Sequence, residues 1–139
     1  MIRPNESIFI DTGAWIALAI VKDALHERAA AHWNILQLKG ARLFTSVPVA
    51  VEAFTYLDRR GSRELALQWS SSLNSIARFE ILGCSSADLH EAWRYLEQKQ
   101  FYKLSFVDAT SFVLMRKHHI RVAFAFDTHF AQAGFRLEA

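Results

Sequence analysis

Two apolar runs stand near opposite ends of this chain, and each leads into an aspartate. Ile8-Phe9-Ile10 precedes Asp11, and Val122-Ala123-Phe124-Ala125-Phe126 precedes Asp127. A run without polar alternation reads as a strand buried on both faces, as in a parallel sheet covered by helices. An acid just past the carboxyl end of such a strand lies where ligand crevices form in open α/β sheets. Two of them would face one crevice.

The stretches between alternate in period. The spacing predicts a strand over about 7–10 and a helix over 12–18. Asp23 is placed as the N-cap of a second helix that runs to about Lys39 and ends at Gly40. A second strand covers 41–45. Ser46 then caps a helix with Pro48 in its first turn. That helix runs to about Arg60, and Gly61 breaks it. A further helix covers Arg63 to Ser72, and 77–82 alternates like a strand. Ser86 is placed to cap a helix in which Leu89, Trp93 and Leu96 recur at helical spacing. The next helix begins near Ser105, before the fourth strand. A helical turn, Gly134 and an edge strand over 135–137 close the chain. With only 2 Pro and 5 Gly in 139 residues, the connections are short and no linker divides the chain. The expectation is one domain, 1–139, of α/β class: a mostly parallel sheet with helices on both faces.

Two more acids join the pair. Asp108 lies in Leu104-Ser105-Phe106-Val107-Asp108, and Glu52 is the lone acid of Val47-Pro48-Val49-Ala50-Val51-Glu52-Ala53-Phe54. Each has an ordinary reading. Asp11 and Asp127 could cap helices. Asp108 fits the third position of a capping box begun by Ser105. Glu52 could be a solvated surface residue. Should they converge instead, four carboxylates would repel one another and bind a divalent cation well. Among the histidines, His129 stands close to Asp127 and within reach of a phosphate, although a surface role is the default.

Composition removes several function classes. Hydrophobic residues make up 52% and charged ones 22%, which argues against disorder. The net charge of +2 admits a polyanionic partner without requiring one. Cys84 is the only cysteine, which excludes an intrachain disulfide and favours a reducing compartment. No apolar run has membrane-spanning length, and the N-terminus lacks a signal-peptide pattern, so the expected location is cytoplasmic. No zinc spacing, Gly-rich phosphate loop or Gly-x-Ser-x-Gly elbow is present.

Four segments in series resemble the motifs of PIN domains: 9–18 around Asp11, 45–52 ending at Glu52, 104–109 around Asp108, and 126–130 around Asp127 followed by Ala133-Gly134-Phe135. Order, spacing and length agree over essentially the whole chain, and stand-alone chains of this size look most like VapC-type toxins. The resemblance implies a three-layer α/β/α sandwich and a Mg²⁺- or Mn²⁺-dependent ribonuclease. It also implies a homodimer and an antitoxin partner. The family's acidic positions map onto Asp11, Glu52, Asp108 and Asp127 as catalytic and metal-binding residues. Asp11 and Asp127 would hold the metal directly. Asp108 would complete the site, directly or through water, and Glu52 would bind a metal-held water or orient the attacking one. Thr12 and Ser105 are supporting donors. Arg116, Lys117 and Arg121 are candidates for RNA contact.

Other classes carry different expectations. Asp11-Thr12-Gly13 matches the active-site tripeptide of aspartic proteases, but such a protein would be nearly all β. A non-catalytic RNA- or protein-binding module of the same fold need not bind Mn²⁺. A phosphotransfer domain with Asp11 as nucleophile lacks the second acid of the haloacid-dehalogenase pattern, because Gly13 stands there.

Overall fold

The computed structural model describes all residues, 1–139. Five strands form one parallel sheet: β1 (Ser7–Ile10), β2 (Arg42–Ser46), β3 (Phe79–Leu82), β4 (Val122–Phe124) and β5 (Arg136–Glu138). Their order is β3-β2-β1-β4-β5. Seven α-helices flank the sheet: α1 (Thr12–Ala19), α2 (His26–Leu38), α3 (Val47–Tyr56), α4 (Arg63–Ser72), α5 (Ser86–Leu96), α6 (Phe106–Lys117) and α7 (His129–Gln132). The arrangement is the three-layer α/β/α sandwich, with every strand pair parallel.

The register follows from the apolar runs. β1 is central, with Ile8, Phe9 and Ile10 fully buried, and Phe9 is aligned with Phe44 on one side and Ala123 on the other. The chain builds β1, β2 and β3 outward in one direction, then returns to add β4 and β5 on the opposite side of β1. The order therefore reverses between β1 and β4, and the connections leaving their carboxyl ends diverge there. Asp11 follows β1 directly, and Asp127 lies three residues past β4.

Helix starts are set by hydroxyl caps. Ser46 Oγ accepts from the Val49 amide at 3.2 Å, Ser62 Oγ from Leu65 at 3.0 Å, and Ser105 Oγ from Asp108 at 3.0 Å. Ser85, not Ser86, caps α5, where Ser85 and Asp88 exchange both bonds of a capping box. Asp23 does not cap α2. Its carboxylate accepts from the Leu25 amide at 2.8 Å, in a turn that ends before the helix begins at His26. Gly40 adopts φ +63° and closes α2 with amide bonds from Gly40 to Gln37 and from Ala41 to Leu36. The helix after Ser46 changes at Leu57 to a π-helical turn, Leu57–Gly61.

One aromatic group packs α6 against α5 and the C-terminal segment. The Phe112 ring centre lies 5.0 Å from Phe130, 5.4 Å from Tyr95 and 5.6 Å from Phe135. A second group surrounds Trp15, with Trp69 at 5.7 Å, Phe79 at 5.8 Å and Trp33 at 6.0 Å. Trp93, placed by its spacing on the apolar side of α5, is exposed instead. That helix buries Asp88 and Ala92, and Trp93 packs on the surface against Phe106. No helix is long and apolar enough to cross a membrane. The all-parallel sheet with seven helices also removes the aspartic-protease reading, since Thr12 and Gly13 open a helix rather than a β-loop.

Candidate active site

Asp11 occupies the N-cap position of α1, but its side chain makes no capping hydrogen bond. The residue is 5% exposed, and its Oδ1 is buried without a hydrogen-bond partner. Burial pushes its carboxyl up to about 7. The Thr12 and Gly13 amides oppose the shift, while the charges of Glu52 and Asp127 reinforce it. A carboxylate left this way is costly unless a proton or a cation occupies it.

Asp108 is the third residue of α6. Its amide is bound by Ser105, yet the reciprocal bond from the Ser105 amide to its carboxyl is absent, unlike the closed box at Ser85 and Asp88. The freed carboxyl is 6% exposed and faces the other acids. Burial first, then Asp11 and Asp127, push it up to about 9, with Glu52 adding to the rise.

Asp127 responds in the opposite direction. Burial would raise it, but the His129 amide, the Asp108 carboxyl and the His129 ring together hold it below the usual carboxylate range. The amide of His129 donates to Asp127 Oδ1 at 2.9 Å, and the ring Nδ1 stands 2.8 Å from the same oxygen. Asp108, Asp127 and His129 each present a ligand atom, and these atoms lie within 4.8 Å of one another. Asp11 and Glu52 stand outside that tight group but act on it through charge. Glu52 is half-buried on α3. The four acids expected from sequence thus share one electrostatic environment at the carboxyl edge of the sheet. His129, expected as a surface residue, belongs to it as well. The sequence signal for His129 was its position two residues after Asp127, where an Asx turn brings side chain and amide together.

The supporting residues divide. Thr12 Oγ1 is buried beside Asp11 without a partner, so it is free to bond a ligand. The Ser105 hydroxyl is already engaged by the Asp108 amide. Arg116 and Lys117, the basic candidates, are both engaged within the fold. Arg116 bonds Tyr95 Oη and the Ala133 carbonyl and stacks over Phe135, and Lys117 pairs with Asp88 at 3.3 Å. Arg121 is exposed. A cavity of about 620 Å³ lies elsewhere, over α1, α2 and α4. It is lined by Trp15, Trp33 and Trp69 and presents no acid.

The donor set suits a hard divalent cation. It offers carboxylate oxygens in excess, one of them buried and unpartnered, and one imidazole.

Comparison with known proteins agrees with this geometry. Residues 8–136 match the PIN domain family. The chain is 41% identical over 130 residues to the 23S rRNA-specific endonuclease VapC20 of Mycobacterium tuberculosis, covering 92% of this chain and 95% of that protein. The crystal structure of Mycobacterium tuberculosis VapC20, described as a sarcin–ricin loop cleaving toxin, superposes with a TM-score of 0.80 at 33% identity, over 92% of this chain and 95% of the other. The VapBC2 complex of Rickettsia felis, bound to a promoter DNA fragment, contains a chain that matches with a TM-score of 0.69 at 13% identity. That match covers 95% of this chain and 97% of the other, a likeness of fold.

Proposed function

The chain belongs to the PIN domain family, with VapC-type relatives, and on that premise we propose that it is a Mg²⁺- or Mn²⁺-dependent endoribonuclease, the toxin of a toxin–antitoxin pair. The observation that carries the metal-dependent reading is the buried Asp11 carboxylate, one oxygen of which has no partner, within charge range of Glu52 and Asp127. Asp11, Asp108 and Asp127 would hold the cation, and Glu52 would reach it directly or through water. Bound there, the cation offsets the charge of the phosphodiester and lowers the pKa of water. The side chains supply the rest. Asp127, held ionised by the His129 amide and ring, is a fixed anionic ligand at any pH near neutrality. Asp11 and Asp108, whose neutral forms burial favours, would hold the cation in their ionised forms. Glu52, half-buried at the rim, orients a water toward phosphorus and accepts its proton. Thr12 Oγ1 supports Asp11 or a bound water.

The substrate reading is ribosomal RNA, supported by the VapC20 relative named as 23S rRNA-specific. An antitoxin chain, a homodimeric state and a cytoplasmic location complete the proposal, with 1–139 acting as one nuclease domain. The antitoxin is supported by the chain's VapC-type relatives. Incubation of total cellular RNA with the protein, with and without Mn²⁺, tests the central reading. Discrete cleavage in Mn²⁺, lost in EDTA and in Asp11→Asn, is expected. Undiminished cleavage in excess EDTA would sink it.

A further inference from the structure

Resting on the nuclease reading, the geometry points to a track for the RNA strand on the exposed face of α3 and the π-helical turn after it, with Arg59 and Arg60 on phosphates flanking the scissile bond and Tyr56 beneath a base. Glu52, Thr55, Tyr56, Arg59 and Arg60 line one cleft of about 350 Å³. Their spacing of three and four residues places them on one side of the helical segment. Glu52 is the member shared with the acid cluster, so the cleft begins where the scissile phosphate would sit and leads away from it. The arginines lie roughly 10–12 Å along the helix axis from Glu52, a distance that reaches neighbouring nucleotides rather than the reacting phosphate.

The charges on this face are available. Arg59 and Arg60 are exposed, and neither forms an ion pair. The adjacent acid, Asp58, is held on both oxygens by Arg63, at 2.5 and 3.0 Å, and meets Arg59 only through charge, without an ion pair. The Arg60 guanidinium lies 5.8 Å from the centre of the Tyr56 ring, and Tyr56 is 38% exposed. An exposed aromatic beside unpaired guanidinium groups is the combination that holds single-stranded nucleic acid: stacking for bases and charge for phosphates. The backbone marks the same place, because π-helical turns inside helices are frequent at functional sites. Arg116 and Lys117 are occupied by structural partners, so this face carries the unpaired basic pair that the acid cluster needs to hold a polyanion against its own repulsion.

The test uses the full chain and a labelled RNA hairpin with the sarcin–ricin loop sequence, in an Asp11→Asn background so that binding is read without cleavage. Arg59→Ala with Arg60→Ala should raise Kd about tenfold or more and reduce the slope of log K against log salt by about 1.4, the value for two single-strand phosphate contacts. The double Lys variant should keep the slope. Tyr56→Ala should raise Kd about fivefold with the slope unchanged, and Lys39→Ala, an exposed charge at the far end of α2, should alter neither. With Asp11 restored and Mn²⁺ present, the double Ala variant should raise KM and leave kcat within about threefold. Unchanged affinity and slope in the double Ala variant would overturn the proposal. So would equal loss in the Lys variant, no RNA binding by the parent, or a shift in sedimentation from dimer to monomer at unchanged RNA affinity, which would make this face a contact between copies. Failure of the nuclease reading looks different: RNA bound through Arg59 and Arg60 but never cleaved in Mn²⁺.

Discussion

The indole N–H of Trp15 donates to Thr45 Oγ1 across 3.0 Å, and the Thr45 hydroxyl donates onward to the Ile10 carbonyl at 2.8 Å. Thr45 is fully buried and Trp15 nearly so. The relay joins α1, β2 and the last residue of β1, directly behind Asp11. It therefore fixes the backbone from which the Asp11 carboxylate projects.

Thr45→Val keeps the shape and removes the hydroxyl. The indole N–H would then be buried without a partner, which costs about 1–3 kcal/mol. A fall in Tm of roughly 3–10 °C is expected. Thr45→Ser should recover most of it. A melting curve identical to wild type would show that the relay contributes nothing.

Asp11→Asn keeps the volume of the side chain but removes its negative charge. The variant should fold, because burial and the neighbouring acids already disfavour that charge. Cleavage of RNA in Mn²⁺ should fall at least about a thousandfold, in line with the loss of a principal electrostatic group, and Mn²⁺ affinity measured by calorimetry should fall with it. Retention of both would remove Asp11 from the metal site.

The fates of particular residues explain what was readable in the sequence. Asp11 and Asp127 were legible because each ends an uninterrupted apolar run, and burial of that run on both faces leaves the next polar residue at the sheet edge. The parallel sheet followed from the same runs. Asp108 was ambiguous because Ser105-Phe106-Val107-Asp108 and Ser85-Ser86-Ala87-Asp88 carry the same local pattern. Only tertiary neighbours decide that the second closes its box while the first turns its carboxyl toward Asp11 and Asp127. The partners of Arg116, Lys117 and Trp93 were hidden for the same reason. Ala133, Asp88 and Phe106 lie at 17, 29 and 13 positions' remove, where local spacing is silent. The π-helical turn at Leu57–Gly61 replaces what reads as continuous helix, because a wider turn has no composition of its own.

His129 should matter through Asp127. Its amide would remain in His129→Ala, but the ring beside the carboxylate would be gone, so Asp127 should ionise less readily. Cleavage is expected to drop about tenfold, because Asp127 loses a neighbour that fixes its carboxylate, while Mn²⁺ affinity changes little. His129→Gln, which retains a polar group, should fall between. An equal loss of Mn²⁺ affinity would indicate a role as a metal ligand instead, and no loss would leave His129 a bystander.

Stability of the metal-free protein should respond to pH in a way that identifies the acid cluster. Asp11 and Asp108 are protonated more readily in the folded state, at about 7 and about 9, than in the unfolded chain, near 3.8. A raised folded pKa stabilises the protein fully below the unfolded value, and that stabilisation is lost as pH rises through the folded one. His32 acts with the opposite sign. It is buried, Nε2 has no partner, and burial holds its pKa below the ordinary value of 6.5. Its contribution is present above pH 6.5 and disappears as pH falls through its lowered value. Between pH 7 and 8.5, below the range in which the Cys84 thiol with its raised pKa begins to contribute, the two carboxyls carry the change, so Tm should decline by roughly 5 °C across that window. Millimolar Mn²⁺ should remove the decline, because a cation takes the place of the proton. Asp108→Asn should flatten it without metal. A flat profile in the unsubstituted, metal-free protein would mean that these carboxylates are solvated and apart, and the cation site would have no electrostatic basis.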